Sequence, residues 1–117
     1  MPQKIYQIDA FADAVFSGNP AAICPLKKWV SDEMLQKIAA ENNLAETAFY
    51  VKDGDQYLIR WFTPTVEVDL CGHATLAAAY VLFNYERHSG DSINFYSPRS
   101  GMLSVTKKCE LLTLNFP

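Results

Sequence analysis

The stretch VEVDLCGHATLAAAYVLFNYER, residues 66–87, decides the fold. Between positions 70 and 85 it contains no Asp, Glu, Lys or Arg, yet Cys71, Gly72 and His73 stand together near its front with Asp69 just outside. Ala74, Leu76, Ala77, Ala78, Ala79, Val81, Leu82 and Phe83 cover every side of a helix drawn through it. A helix that is apolar all round has to be enclosed on all sides. It falls short of the roughly 20 apolar residues that span a bilayer, and it includes His73 and Asn84, so enclosure by protein is expected.

The flanking segments supply the enclosure. KIYQIDAF alternates, with Tyr6, Ile8 and Ala10 on one face, and predicts a first strand. FSGNP turns, and AAICPL predicts a short second strand closed by Pro25. SDEMLQKIAAENN is an amphipathic helix, with Ser31 as N-cap, Asp32 and Glu33 at the positive end of the dipole, and a stripe of Met34, Leu35, Ile38 and Ala39. Asn42 and Asn43 can end it. ETAFYVK and QYLIRWF, joined through Asp53-Gly54, predict a β-hairpin. SINFYS, MLSVTKK and LLTLNFP predict further strands. The fold class that follows is α+β, a curved sheet wrapped around a central apolar helix. Because LLTLNFP ends in a strand pattern, the domain is expected to continue in a longer parent chain.

Composition sets outer bounds. The 117 residues are enough for one hydrophobic core, and half hydrophobic with a fifth charged is an ordinary globular balance. A net charge of -3 without any basic run argues against nucleic acid, because phosphate contacts need concentrated positive charge. Three scattered cysteines make no disulfide framework and suit a reducing compartment. MPQKIYQIDAF has no apolar run after its charge, so no secretory leader is expected. These features together predict a soluble cytoplasmic protein that does not engage membranes.

Chemistry concentrates at two places. The first turn of any helix leaves backbone N–H groups without intrahelical partners, and the dipole adds positive potential there. CGHAT is therefore a candidate site for a small carboxylate or phosphate at the helix start. The plainer alternative is a helix start packed under a loop. His73 is suited to donating to a substrate oxygen or shuttling a proton, or else to bonding a neighbouring carbonyl. Cys71 is either a thiolate favoured by the dipole or a small buried thiol. Asp69, Cys71 and His73 alternate, which suggests a metal, but no second cluster completes a tetrahedral ligand set and none is expected. Glu46, in NLAETAFY, follows an apolar pair and opens an apolar strand. Partial desolvation there would raise its pKa toward the range useful for proton transfer; an exposed loop glutamate or a cap is the alternative.

DAF, FSGNPAAIC, NLAETAFY and RWFTPTVEVDLCGHATLAAAYVLF follow one another in the order and style of the phenazine biosynthesis-like (PhzF) family, which the chain resembles from Ile8 to Phe83. That family belongs to the diaminopimelate epimerase-like superfamily. The resemblance implies a barrel-like mixed sheet around a central helix, present as one of two similar halves with the active site between them. It also implies isomerase chemistry without cofactor or metal, moving a proton on a small carboxylic acid in a biosynthetic process; the type member isomerises a dihydro-hydroxyanthranilate. Carried over by position, Glu46 is the general acid/base, although Ala45 stands where the family usually has serine. His73 assists proton transfer and substrate orientation. Gly72, His73 and Ala74, with Asn19 and Pro20, line the substrate side. Cys71 occupies the position of one of the two catalytic cysteines of the related epimerases, and Asp69 stays a secondary candidate. Relatives are more than twice as long, so this chain is expected to be an N-terminal domain, inactive alone, whose partner is the second domain or a second copy of itself. The competing reading is a degenerate half that binds small anions or proteins without catalysis.

Overall fold

The computed structural model describes residues 5–9, 20–86, 88–108 and 111–115. Along the chain the elements are β1 (Tyr6–Asp9), β2 (Pro20–Leu26), α1 (Asp32–Asn42), β3 (Glu46–Asp53), β4 (Gln56–Phe62), β5 (Glu67–Val68), α2 (Gly72–Asn84), β6 (Ser92–Ser97), β7 (Gly101–Lys108) and β8 (Leu111–Asn115). All strands join one mixed sheet in the order β1-β2-β3-β4-β6-β7-β8, with β5 added to β4 beside β6. Two pairs are parallel, β2 with β3 and β4 with β6, and each is bridged by one helix. Such crossovers are strongly right-handed. Strand direction reverses between β3 and β4 while the order runs on the same way, so this rule sends α1 and α2 to opposite faces of the sheet.

The side chains agree. On the inner face Ala21, Ile23, Ala48, Tyr50, Tyr57, Ile59, Trp61, Ile93, Phe95, Leu103 and Val105 surround Ala74, Ala77, Ala78, Val81 and Leu82 of α2. The alternate residues Cys24, Phe49 and Phe62 meet Leu35 and Ala39 of α1 on the outer face. Each large side chain buried this way contributes about 1.5–3 kcal/mol. Tyr6 and Ile8 from β1, and Leu112 and Leu114 from β8, pack on the same inner core, so both ends of the sheet curl toward α2. The curved sheet around a central helix is the architecture expected from the sequence.

Local chemistry sets the boundaries. Ser31 Oγ accepts from the Met34 amide at 3.2 Å, and the cap residue Asn43 takes the left-handed conformation (φ 51°) that asparagine tolerates. The β3–β4 hairpin turns through Gly54-Asp55, with positive φ at the glycine alone, as a type II′ turn requires. Three expectations need amendment. Pro25 does not close β2 but lies within it opposite Tyr50; beyond Ile23, β3 is the sole neighbour of β2 among the described residues, an edge-like position that proline tolerates. Met34 is exposed, so the buried stripe of α1 is narrower than its pattern. The enclosure of α2 is also incomplete: Leu76 and Phe83 are half-buried and Tyr80 is exposed, all on one stripe that also carries His73. Ala10 and the first four residues of FSGNP, Phe16 to Asn19, lie outside the described residues, and Pro20 opens β2. No helix among the described residues is long and apolar enough to cross a membrane.

Candidate active site

Glu46 opens β3 on its inner face, opposite Ala21 of β2, and Cys71 is the N-cap of α2. The fold brings these two together, because β3 and α2 share the inner core. Two sets of bonds hold the helix start. Within the core, the Trp61 indole N–H donates to Thr75 Oγ1 at 3.0 Å, and that hydroxyl donates to the Cys71 carbonyl at 2.8 Å. The Thr75 amide reaches the same carbonyl at 3.1 Å, the first helical hydrogen bond of α2. On the outer side, Arg60 makes a two-point bond to Glu67 of β5, both contacts at 2.8 Å, and reaches Asp32 of α1 at 2.9 Å. Its guanidinium also lies over the Trp29 and Phe62 rings. Arg99 bonds Asp69 at 2.9 Å, and the Ser100 hydroxyl donates to the Asp69 carbonyl. The segment entering α2 is thus clamped on both sides of the sheet.

At the clamped end, the Glu46 carboxyl is close enough to the Cys71 thiol for each to shift the other's titration, and Cys71 Sγ lies 3.7 Å from His73 Nδ1. Burial pushes the Glu46 carboxyl above its ordinary value, and the adjacent Cys71 thiol pulls it part of the way back. Glu46 Oε2 is buried without a hydrogen bond among the described residues. Burial pushes the Cys71 thiol up to about 11; the nearby Ala74 amide works against this, the Glu46 carboxyl adds to it, and the His73 amide opposes it weakly. Burial alone lowers the pKa of His73 and favours the neutral ring. The result is a carboxyl, a protonated thiol and a neutral imidazole grouped beside the first-turn amides of a helix.

Of the residues expected from the sequence, Glu46, Cys71, Gly72, His73 and Ala74 converge here. Asp69 does not: its carboxylate is exposed and tied to Arg99, so it braces the helix entry instead of facing Glu46. Asn19 lies outside the described residues. Cys71 as a thiolate is disfavoured by its raised pKa, and Cys24, pushed by burial to about 12, is a second buried thiol on the outer core. No three His, Cys, Asp or Glu side chains among the described residues are placed to hold a metal ion. Thr75 and Arg60 were missed as positioning residues. A threonine in the first turn of an otherwise apolar helix, and an arginine alternating with Leu58 and Phe62 on the outward face of β4, were the available signals.

The family description "phenazine biosynthesis-like protein" matches residues 8–117. Over 118 aligned residues, the whole chain is 57% identical to an uncharacterized isomerase of Pseudomonas aeruginosa, of which it covers 45%. A solved phenazine biosynthesis protein of the PhzF family from Enterococcus faecalis superposes with a TM-score of 0.88 at 54% identity, over 96% of this chain and 43% of that one. A more distant likeness, to a protein described as a predicted epimerase from Pseudomonas aeruginosa, has a TM-score of 0.71 at 22% identity, covers 95% of this chain and 41% of that one, and bears on the fold alone. The chain therefore spans less than half the length of the relatives it matches. With the match covering nearly all of its residues, the chain belongs to the phenazine biosynthesis-like (PhzF) family.

Proposed function

We propose that this chain supplies one wall of the active site of an isomerase that moves a proton on a small carboxylic acid without a cofactor. The observation that carries the reading is Glu46: a half-buried carboxyl of raised pKa, its Oε2 shielded and lacking a hydrogen bond among the described residues, beside the N-terminus of α2. A substrate carboxylate at the Gly72, His73 and Ala74 amides would place its neighbouring C–H near Glu46. Glu46 takes that proton, and the negative charge that develops on the substrate is stabilised by the helix start. Returning the proton to another carbon, or to the opposite face, completes an isomerisation with no change of oxidation state. His73 assists as a neutral donor or acceptor. Asn19, next to Pro20 at the head of β2, adjoins the same end of the sheet in sequence and is assigned to substrate binding on the family resemblance.

Relatives named as isomerases support the reaction class. The chain's share of their length supports its being the N-terminal domain, with the opposite wall supplied by a second domain or a second copy, and with little turnover alone. A lone wall leaves half-buried Glu46 and the helix start only partly shielded from water, which weakens both its basicity and the electrostatic stabilisation. The test uses the full-length protein and a panel of small unsaturated and hydroxylated carboxylic acids in deuterated water. Wild type should incorporate solvent deuterium into at least one of them, and Glu46→Gln should reduce that incorporation at least about a hundredfold with the fold intact. Undiminished exchange in Glu46→Gln overturns the assignment of Glu46. A non-catalytic anion-binding module would instead bind carboxylates at α2 and tolerate that substitution.

A further inference from the structure

The first-turn amides of α2 carry the proposed carboxylate site, and part of what fixes their place comes from far along the chain. Strand β6 runs parallel to β4, so it ends at the edge of the sheet where β4 ends and Glu46 begins β3. The turn that follows, Pro98-Arg99-Ser100, reaches the segment that leads into α2. It is a firmly built turn. The Ser97 hydroxyl, on a residue 1% exposed, accepts from the amides of Arg99 at 3.2 Å and Ser100 at 3.3 Å. Gly101 then leaves the turn in the left-handed conformation (φ 82°) that glycine adopts without strain.

Three contacts cross from this turn to the helix entry. The Ser100 hydroxyl donates to the Asp69 carbonyl, Arg99 Nη1 bonds the Asp69 carboxylate at 2.9 Å, and Arg99 Nη2 lies 3.6 Å from Glu67 Oε1. They differ in weight. The Asp69 side chain is 80% exposed and that of Arg99 46%, so water screens their pair. Ser100 is half-buried, and its bond grips the main chain two residues before the Cys71 cap. We propose that Ser100 is a positioning residue for the helix start: through the Asp69 carbonyl it sets the Gly72, His73 and Ala74 amides in the arrangement a carboxylate needs, without touching the ligand. Thr75 holds the Cys71 carbonyl from within the helix, and Ser100 holds the chain two residues earlier from across the sheet end. The cap between these two grips has little freedom to shift.

This role rests on the reading of the helix start as a carboxylate site, and acetate is the probe. Amide NMR spectra of the full-length protein are followed at Gly72, His73 and Ala74 through an acetate titration near neutral pH. Wild type is expected to show saturable shifts there. Ser100→Ala should weaken acetate about two- to tenfold, the contribution of one hydrogen bond, and Ser100→Thr, which keeps the hydroxyl, should bind as wild type does. Arg99→Gln should weaken acetate less than Ser100→Ala, because its ion pair is exposed. The Thr75 amide, which bonds the Cys71 carbonyl, should exchange with solvent faster in Ser100→Ala while the amides of β3 keep their rates. Wild-type acetate affinity in Ser100→Ala overturns the proposal even where that variant melts at a lower temperature, since a merely structural bond would change the melting alone. Equal losses in Ser100→Thr and Ser100→Ala also overturn it. Absence of any acetate response in wild type overturns the carboxylate site and this role together, whereas failure of the proton-transfer reading appears separately, as undiminished deuterium exchange in Glu46→Gln.

Discussion

Burial keeps Glu46 protonated to higher pH than an exposed glutamate, and the consequence for stability has a definite sign. Between the ordinary carboxyl pKa and the raised one, the folded state binds the proton more tightly than the unfolded state. Stability contributed by this group is therefore present at low pH and is lost as pH rises through that window. Glu46→Gln, neutral throughout, should melt at a higher temperature than wild type near neutral pH, with the difference closing below about pH 4. A lower melting temperature at neutral pH would show that Glu46 is paired more strongly than its surroundings indicate. Cys71 gives a second prediction at this scale. With its pKa at about 11, up from 9.0, its thiolate fraction near pH 8 falls about a hundredfold, and its alkylation by iodoacetamide in the folded protein should slow by a similar factor relative to an unshifted thiol. Peptide mapping after timed labelling measures this, and labelling at the rate of an exposed thiol would contradict it.

At the level of elements, the start of α2 depends on Thr75, which receives the Trp61 N–H and donates to the Cys71 carbonyl. Thr75→Val keeps the shape but leaves the buried indole N–H without an acceptor, and should cost about 1–3 kcal/mol in denaturant unfolding. On the opposite face, Arg60→Met should cost about 1.5–3 kcal/mol, because it leaves the largely buried Glu67 without its two-point partner. A loss below about 0.5 kcal/mol would place that pair among ordinary surface bridges. Much of the element pattern was legible in the sequence. Ser31 and its acidic first turn marked α1, Asp53-Gly54 marked the hairpin, and the charge-free run marked α2, because each is written in local chemistry. Pro25 was misread because its tolerance depends on which neighbours β2 has, a property of the assembled sheet. The parallel pairing of β4 with β6 joins segments separated by the whole of β5 and α2, and no local pattern encodes it.

Across the whole molecule, one strand links the candidate site to the core. Glu46, Ala48 and Tyr50 all lie on the inner face of β3, so the packing that surrounds α2 also delivers the carboxyl to the helix start. Glu46 and CGHAT were recognisable separately in the sequence, as a carboxyl before an apolar strand and a glycine-led helix start. Their meeting beside Cys71 was not, since it arises where β3 and α2 share the inner core. The stripe of α2 carrying His73, Leu76 and Tyr80 is incompletely covered, and the chain spans 45% of a relative to which it is 57% identical. Both fit a site with one wall in this chain. The most direct measurement of that account is solvent deuterium incorporation into a small carboxylic acid substrate, compared among the 117-residue chain, the full-length protein and its Glu46→Gln variant. The account predicts exchange by the full-length protein alone. Full-rate exchange by the 117-residue chain, or by the Glu46→Gln variant, would contradict it.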